Sequence, residues 1–322
     1  MATITTLESR DVDDQAQALN GFRQFYEQLG RGRFHGQVWQ LMMNEGFMLR
    51  ERGNRSLRQR FSPPPDHVTL AVPLAVQPGS MFAGQPLMRE SLMVLGNAQE
   101  YELLSTGELD VIGLSVHREL LHTLGPAKVE WLERAQNERH LPLAPHTAAA
   151  IRHMLLAVCS AGEREIASLA ERANEVALLS ATLTQTVLLA MSGADESAHS
   201  IPRRADSRMK VVKRALEFMR AHLHEDVGIA EICSAACASR RSLQYCFEEF
   251  MHTTPQAYLR ALRLNEARRA LKSGADQPIT TLASELGFSS ASHFTRHYKL
   301  MFDELPSQTL KAYGMNGTGL MP

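Results

Sequence analysis

Two related stretches decide the fold of the second half of the chain. They read IAEICSAACASRRSLQYCFEEFMHTTP, residues Ile229–Pro255, and ITTLASELGFSSASHFTRHYKLMFDELP, residues Ile279–Pro306. Their apolar positions correspond in order: Ile229, Ile232, Ala236, Leu243, Phe247 and Phe250 match Ile279, Leu282, Leu286, Phe294, Tyr298 and Met301. The second copy has one more residue in its turn, where an insertion costs least. The chain therefore contains one structural unit twice.

Each copy predicts a helix-turn-helix. A short amphipathic helix, Ile229–Ala236 or Ile279–Leu286, precedes a tight turn, and Ser239 or Ser290 stands where a serine caps the second helix. The face of each second helix away from its apolar positions is polar. In a helix-turn-helix this face enters the major groove of DNA.

A helix is predicted between the copies, over Gln256–Lys272, and Ser273-Gly274 closes it. At 1.5 Å per residue it spans about 25 Å. A rigid spacer of that length could hold the second helix of each copy about one duplex turn apart, roughly 34 Å, on one face of the DNA.

With these elements, residues 208–314 resemble the DNA-binding domain of the AraC/XylS family of bacterial transcription regulators. The resemblance rests on Ile232, Ser239, Leu243, Phe247, Pro255, Tyr258-Leu259, Arg263-Leu264, Ile279, Leu282-Ala283, Leu286-Gly287-Phe288-Ser289, Phe294, Arg296, Tyr298-Lys299, Phe302 and Pro306-Ser307. It implies a regulator that binds double-stranded promoter DNA and activates by contacting RNA polymerase. It implies neither a cofactor nor an enzymatic activity.

The resemblance also assigns roles to polar residues. Arg binds guanine and Gln binds adenine through paired hydrogen bonds, so both suit base readout. The expected base contacts are Arg241, Gln244, Tyr245, Ser292, His293 and Arg296. The expected phosphate contacts, which supply salt-sensitive affinity, are Arg240, Lys210, Lys213 and Lys299. The alternative is that these side chains form a solvated polar face.

The chain departs from the family pattern at five positions. Cys237, His252 and Asp303 stand where the family usually has glycine, and Glu248-Glu249 stands where it usually has a basic residue. The two glutamates are expected to weaken phosphate contact by the second helix of the first copy. Cys233, Cys237 and Cys246 do not have the spacing of a zinc site, so buried thiols are the expectation and a redox pair the alternative.

The first part of the chain predicts short strands followed by helices. The expected strands are Val38–Arg52, His67–Val76, Ser91–Leu95, Tyr101–Leu104 and Leu109–Val116, and the expected helices are His117–Leu124, Lys128–Arg139 and Pro145–Ser160. The fold class is therefore α+β: an antiparallel sandwich or barrel, cupin-like by the family resemblance, precedes an all-α domain. The stretch from Phe47 to Leu74 is also similar to regulators of the ethanolamine-utilisation type.

A long helix is predicted over Arg164–Met191. Its apolar seam, in alternating steps of three and four residues, comprises Ile166, Leu169, Ala173, Val176, Leu183 and Val187, with Ser180 as a polar member. One interpretation is a dimerisation helix, which would make the protein a homodimer. The other is a core helix packed on its own sheet, because Leu178, Leu179, Leu188 and Leu189 make the helix broadly apolar.

Charge and composition set the domain limits. Residues 201–322 carry 17 lysines and arginines against 12 acidic residues, whereas residues 1–200 carry 17 against 23. The predicted organisation is a sensing and dimerisation domain over 1–192 (β-rich over 34–116, helical over 117–192), a linker over 193–207, the DNA-binding domain over 208–314 and a flexible tail over 315–322. The absence of an evident export signal or membrane span favours the cytoplasm, and reduced thiols.

Three further functional expectations concern the first domain. Its Met-rich interior is either a pocket for a small effector or ordinary core, and the charged residues Arg50, Glu51, Arg52, Arg55 and Arg58 either anchor a ligand or lie in solvent. No residues there have the pattern of a metal site. A regulator without a small ligand, controlled by abundance, proteolysis or a protein partner, is the main alternative; a DNA-targeted enzyme using Cys159 is a remote one.

Overall fold

The computed structural model of the chain describes residues 2–96, 99–164, 169, 171–193, 203–274 and 277–314. By packing, the chain divides into two compact units. The first comprises Met1–Tyr26 and Phe34–Ser200, and the second comprises Glu27–Arg33 and Ile201–Pro322. The short segment Glu27–Arg33 is thus part of the second unit, which the sequence did not predict.

The strands lie in the first third of the chain, apart from one short strand among the helices that follow. They are β1 (Thr3–Ser9), β2 (Arg23–Gln28), β3 (Gly36–Met43), β4 (Gly46–Gly53), β5 (Leu57–Ser62), β6 (His67–Val76), β7 (Met81–Phe82), β8 (Gln85–Pro86), β9 (Ser91–Leu95), β10 (Tyr101–Leu104), β11 (Leu109–His117) and β12 (His140–Pro142). The predicted bounds of β6, β9 and β10 are confirmed. The predicted strand Val38–Arg52 is instead a hairpin, because β3 and β4 pair about a turn at Asn44-Glu45.

These strands form two antiparallel sheets. The seven-stranded sheet has the order β1-β3-β4-β11-β6-β9-β12, and the five-stranded sheet has the order β2-β5-β10-β7-β8. No strand pairing joins the two sheets in the described part of the chain, so the arrangement is a sandwich and the closed cupin-like barrel is not formed there. Met93, Leu103 and Tyr101 belong to the apolar layer between the sheets, whereas Met88 is 58% exposed.

Helices cover the outer face of the larger sheet. The first unit contains α1 (Val12–Ala18), α2 (Pro126–Glu138), α3 (Pro145–Arg164) and α4 (Arg172–Gly193), and a 3₁₀ helix over Arg118–Thr123 replaces the predicted helix His117–Leu124. Strand β11 is buried at every position from Leu109 to Val116, because α3 and α4 pack on one side of its sheet and the second sheet on the other.

Helix α4 differs from the predicted seam helix in its start and in its packing. It begins at Arg172, later than the predicted Arg164, and Ile166 lies outside the described residues. Leu169 before the helix, and Leu183 and Val187 within it, are buried in the core of their own unit, so they do not offer a surface to a partner. The core interpretation is correct for these three residues. Ala173 is exposed and Val176 is half-buried.

The length and apolar composition of α4 also suffice to cross a membrane, contrary to the expectation that the chain has no such stretch. Leu179, Leu183, Val187 and Ala190 explain this composition, because all four are fully buried in the protein core. A helix that packs on a sheet needs the same apolar side chains as one in lipid.

The second unit is helical, apart from the segment Glu27–Arg33. It contains α5 (Arg203–Ala221), α6 (Ile229–Ala236), α7 (Arg240–Met251), α8 (Pro255–Lys272), α9 (Ile279–Glu285), α10 (Ala291–Phe302) and α11 (Pro306–Gly314). Helix α5 thus begins inside the predicted linker, residues 194–202 of which lie outside the described part of the chain, as does the predicted tail. The predicted bounds of α6 are confirmed, and those of α8 and α9 hold to within one residue.

The predicted caps are present. The Oγ atoms of Ser239 and Ser290 accept hydrogen bonds from the backbone N–H groups of Ser242 and His293, both at 3.2 Å. The inward positions are also confirmed, because Leu243, Phe247, Phe294 and Tyr298 are fully buried. Local capping and apolar spacing therefore determine both helix pairs.

Candidate nucleic-acid interface

Helix α7 presents the first set of predicted DNA contacts. Arg240 and Arg241, at its start, are exposed and form no ion pair with any described residue. Gln244 donates a hydrogen bond from Nε2 to Glu248 Oε1 one turn later, at 2.7 Å. Tyr245 is 54% exposed. The polar face of α7 is therefore open, although Gln244 is paired within its own helix.

Arg208 of α5 was not singled out from the sequence, yet it organises this face. Its guanidinium lies over the ring of Tyr245, 5.6 Å from the ring centroid, and donates a hydrogen bond to the Tyr245 hydroxyl at 3.2 Å. The same guanidinium is 3.0 Å from a carboxylate oxygen of Glu249. Both glutamates that depart from the family pattern are thus engaged: Arg208 pairs Glu249, and Gln244 binds Glu248.

Helix α10 presents the second set. Ser292, Arg296 and Lys299 are exposed, and neither basic side chain forms an ion pair with any described residue. By the repeat, Ser292 corresponds to Arg241 and Arg296 corresponds to Tyr245. The exposed arginine of α10, Arg296, therefore lies one helical turn further from its cap than Arg241 does in α7.

His293 and His297 form a pair on α10. Their Nε2 atoms are 2.9 Å apart, and their rings meet edge to face. Burial, followed by the charges of Arg260, His293, Arg296 and Arg31, lowers the pKa of His297 to about 4. His297 is consequently neutral at pH 7.

The same electrostatic effect identifies two cations that the sequence analysis missed. Arg260 lies on α8 and Arg31 lies in the Glu27–Arg33 segment, and both act on His297 beside Arg296. The basic run Gly30-Arg31-Gly32-Arg33 was the available signal for Arg31, but only the fold brings it to α10. The remaining predicted phosphate contacts, Lys210 and Lys213, are exposed on α5.

The first unit contains a small cavity of about 50 Å³ between its sheets. Glu51 lies in its wall, and Tyr26 Oη (2.7 Å) and Gln15 Nε2 (3.1 Å) donate hydrogen bonds to Glu51 Oε1. Burial raises the pKa of Glu51. The amide oxygens of Gln24 and Gln59, also in the wall, are buried without a hydrogen-bond partner.

Of the five charged residues predicted either to anchor a ligand or to lie in solvent, two lie inside the first unit. Glu51 faces the cavity, and the Arg58 side chain is 4% exposed and paired with Glu102 at 2.7 Å. Arg50 pairs with Asp110 at 2.6 Å.

Cys159 does not have the properties of a nucleophile. It is buried in the first unit, and burial raises the pKa of its thiol to about 12. A reactive cysteine needs a lowered pKa and access to substrate. Of the other thiols, Cys246 is buried as expected, whereas Cys237 is exposed.

One group of potential metal ligands occurs among the described residues. Glu45, His117 and Glu119 bring their ligand atoms to within 4.8 Å of one another. Glu45 lies in the turn between β3 and β4, His117 ends β11, and Glu119 follows it and is exposed; none of the three lines the cavity. The expectation that the chain has no metal site stays a prediction.

Comparison with known proteins agrees with the helical unit. A helix-turn-helix domain family matches residues 232–312. The XylDLEGF operon transcriptional activator of Pseudomonas putida is 33% identical over 101 residues, which are 31% of this chain and 32% of that protein. The XylDLEGF operon transcriptional activator 2 of the same organism is 30% identical over 105 residues, which are 32% of this chain and 67% of that protein.

A solved structure is similar over the same part. The crystal structure of a transcriptional regulator with an AraC-type DNA-binding domain, from Chromobacterium violaceum, is 30% identical, with a TM-score of 0.32; the match covers 35% of this chain and 99% of that one. This chain spans only about a third of the length of the first curated relative, so the resemblance of Phe47–Leu74 to the ethanolamine type stays a prediction. The relatives are transcriptional regulators and not enzymes. The chain belongs to the AraC/XylS family of DNA-binding transcriptional regulators.

Proposed function

We propose that the protein activates transcription by reading promoter DNA with α7 and α10, each in the major groove, and by contacting RNA polymerase. The observation that supports this best is the pair of arginines Arg241 and Arg296, which are exposed, form no ion pair with a described residue, and lie on the outer faces of two separately capped helices. Helix α8, which joins the two helix pairs, has 18 residues and is about 27 Å long. That length suits two helices that read adjacent turns of one duplex face.

The assigned roles give the two kinds of contact different signatures. Arg241, Gln244, Tyr245, Ser292, His293 and Arg296 are the proposed base contacts, and Arg240, Lys210, Lys213 and Lys299 the proposed phosphate contacts. Loss of a base contact costs about 1–3 kcal/mol and relaxes specificity at one position. Loss of a phosphate contact weakens binding to all sequences and reduces the salt dependence.

Selection from fragmented genomic DNA tests the proposal. Full-length protein is compared with the double variant Arg241→Ala, Arg296→Ala, and with a control that lacks two exposed arginines of the first unit, Arg89→Ala, Arg134→Ala. We expect the wild type and the control to enrich the same promoter sites, with half-sites about 10 base pairs apart, and the double variant to lose them. Equal enrichment by all three proteins contradicts the assigned reading residues, and enrichment by none contradicts the DNA-binding proposal.

The first unit is proposed to sense a small molecule and to form a homodimer. For sensing, the cavity offers Glu51 and the unpaired amide oxygens of Gln24 and Gln59. These are hydrogen-bond acceptors in an apolar wall, so they suit a small ligand with hydrogen-bond donors. Retention of an amine or amide by purified wild type but not by Gln59→Leu supports this function.

For the homodimer, we assign the contact to the exposed side of α4, because Leu183 and Val187 of the predicted seam are buried in the core of their own unit. That side carries Ala173, Ala177, Ala181 and Leu188, of which Leu188 is 44% exposed. Sedimentation of wild type and Leu188→Glu distinguishes the outcomes: a dimer that Leu188→Glu converts to a monomer supports the assignment, and a dimer unaffected by it contradicts this surface.

The second candidate is a regulator without a small ligand in the same cytoplasmic setting, controlled by abundance, proteolysis or a protein partner. The small volume of the cavity, about 50 Å³, favours it. Under this alternative, purified protein carries no metabolite and binds DNA fully without additives. A metabolite that changes the DNA affinity excludes it.

A further inference from the structure

The segment Glu27–Arg33 belongs to the helical unit, although it precedes the helices of that unit by most of the chain. Its anchor is a reciprocal amide pair. The Gln28 backbone N–H donates to Asn265 Oδ1 at 3.0 Å, and Asn265 Nδ2 donates to the Gln28 carbonyl at 2.8 Å. Both residues are 2% exposed. A buried pair with this geometry fixes the segment to α8, because breaking it leaves polar groups unpaired.

Gln28 also holds the end of α10. Its Nε2 donates to the Met301 carbonyl at 2.8 Å, and the Gly32 backbone N–H donates to the Leu300 carbonyl at 3.1 Å. The last four carbonyls of a helix have no partner within the helix. The segment supplies two of the missing donors, and it therefore ties the C-terminal turn of α10 to the middle of α8.

A third contact reaches α5. Glu27 is 3% exposed. Its carboxylate pairs with Arg220 at 3.0 Å and accepts a hydrogen bond from the Tyr258 hydroxyl at 3.3 Å. Leu29 packs against the apolar cluster formed by α8, α9 and α10. Side chains of one short segment thus contact α5, α8, α9 and α10.

The outer side of the segment carries charge. Arg31 is exposed and forms no ion pair with any described residue. The neighbouring Gly32 binds the Leu300 carbonyl, so Arg31 lies next to a residue that touches the C-terminal turn of α10. Its charge, with those of Arg260 and Arg296, lowers the pKa of His297 on α10. None of these three arginines forms an ion pair with a described residue, and positive charge concentrated in this way attracts phosphate.

We propose that Glu27–Arg33 is a working part of the DNA interface: Gln28 and Asn265 are positioning residues that set α10 against α8, and Arg31 binds a backbone phosphate beside the groove that α10 enters. The inference rests on the proposed DNA binding. It adds a contact from the first tenth of the chain to a domain otherwise built from its last third.

The phosphate contact is tested by measuring the affinity of full-length protein for a selected promoter fragment between 50 and 200 mM salt. The variants are Arg31→Ala and, as a matched control, Arg23→Ala, an exposed arginine of β2. We expect Arg31→Ala to bind about threefold to tenfold more weakly at low salt, and to reduce the slope of log affinity against log salt by about one. Arg23→Ala should behave as wild type.

An Arg31→Ala protein with wild-type affinity and slope overturns this contact. That outcome differs from failure of the proposed function, in which the wild type itself binds no promoter fragment.

The positioning role is tested with Gln28→Met, which keeps the length of the side chain and removes its donors. Affinity is measured for fragments in which the two contacted segments are separated by one base pair more or fewer than in the selected site. We expect the wild type to prefer one spacing by at least tenfold and Gln28→Met to lose most of that preference. A folded variant that keeps the preference, or that loses affinity equally at every spacing, overturns the positioning role. Arg31→Ala removes no buried contact, so it decides the phosphate contact even if Gln28→Met does not fold.

Discussion

At the residue scale, the departures from the family's glycines have a common backbone explanation. Cys237, His252 and Asp303 have φ values of 51°, 50° and 58°, and all three end a helix in the left-handed region. Glycine adopts this region without cost, aspartate adopts it more readily than most residues, and cysteine has no compensating side-chain acceptor for a local hydrogen bond. Of the three positions, Cys237 should therefore be the most strained.

The first prediction follows from this strain. Cys237→Gly is expected to raise the free energy of unfolding of the helical unit by about 1 kcal/mol, since the relief of strain exceeds the added freedom of the unfolded chain. Urea unfolding of full-length protein, followed by the helical signal, measures the change. Ala235→Gly, in the preceding helical turn, is the matched control and should lose about 0.5–1 kcal/mol. A destabilised Cys237→Gly would show that the turn is not strained.

A second prediction concerns pH. Burial lowers the pKa of His140 to about 4, and its Nε2 is 2.7 Å from Ser91 Oγ. An unfolded histidine binds a proton below about pH 6.5. Between these two values the unfolded chain holds more protons, so the contribution of His140 to stability is present above pH 6.5 and is lost as the pH falls toward 4.

This loss should be about 2 kcal/mol between pH 7 and pH 5. His140→Gln keeps a hydrogen-bonding group near Ser91 but cannot be protonated, so its stability should fall less over the same range. Thermal unfolding at the two pH values gives the comparison, with the exposed His153→Gln as the control. An equal fall in His140→Gln and in the control assigns the acid sensitivity to other groups.

At the scale of elements, the turn between α9 and α10 is closed by a buried arginine. Arg263 of α8 donates to the carbonyls of Leu223 (3.2 Å), Glu225 (2.6 Å) and Gly287 (3.4 Å). Gly287 has a φ of +68°, and a Cβ there would come within 2.7 Å of the Arg263 guanidinium. The turn therefore requires glycine both for its backbone conformation and for the space that the arginine occupies.

The third prediction separates these two requirements. Gly287→Ala should lower the free energy of unfolding by more than Gly274→Ala, because Gly274 has a similar φ of +76° but no heavy atom within 4 Å of its Cβ position. The control should cost about 1–2 kcal/mol for its backbone conformation alone. Equal losses, measured by urea unfolding, would mean that Arg263 moves aside at no cost.

The elements that the sequence predicted well are those in which local signals agree. In α7 and α10 about a dozen residues contain all the signals: the serine cap, the apolar spacing and the polar outer face. The observed helices agree with these signals. The strands β1 and β2 and the helix α1 were missed because their identity depends on distant partners. Strand β1, for example, is mostly exposed and pairs with β3 over its whole length.

The same distinction explains the outcome for the proposed site. The exposed arginines of α7 and α10 could be found by register within a repeat, whereas Arg208, Arg260 and Arg31 acquire their positions only through tertiary packing. The spacing along α4 predicted Leu183 and Val187 as buried positions, but a sheet and a partner helix require the same apolar spacing. Periodicity specifies which face is buried and not what buries it.

At the scale of the whole molecule, the acidic first part and the basic second part form separately packed units. Units with separate cores commonly unfold in separate steps, so a single free energy of unfolding does not describe both. A ligand that binds one folded unit stabilises that unit by about 2.7 kcal/mol at one hundred times its dissociation constant.

The fourth prediction is that calorimetry of the full chain shows two transitions, and that a selected promoter fragment raises only one of them. Ile112→Ala, which removes a fully buried side chain of the first unit, should lower the other transition. The double variant Arg241→Ala, Arg296→Ala should show both transitions without the shift caused by DNA. A DNA-induced rise in both transitions would mean that the two units unfold together.

The order of protein synthesis adds a consequence of the amide pair between Gln28 and Asn265. These residues are 237 positions apart, and ribosomes add about 5–20 residues per second, so the earlier residue emerges about 10–50 s before its partner. The first unit ends at residue 200, so it is complete only for the last 65 of these 237 additions, while Gln28 waits for its partner throughout. A chain refolding from denaturant has every helix present from the start and is under no such delay. Newly made and refolded protein therefore reach the same DNA-binding unit by different routes. Only in the newly made chain does the segment Glu27–Arg33 remain without α8 and α10 while the rest of the chain is synthesised.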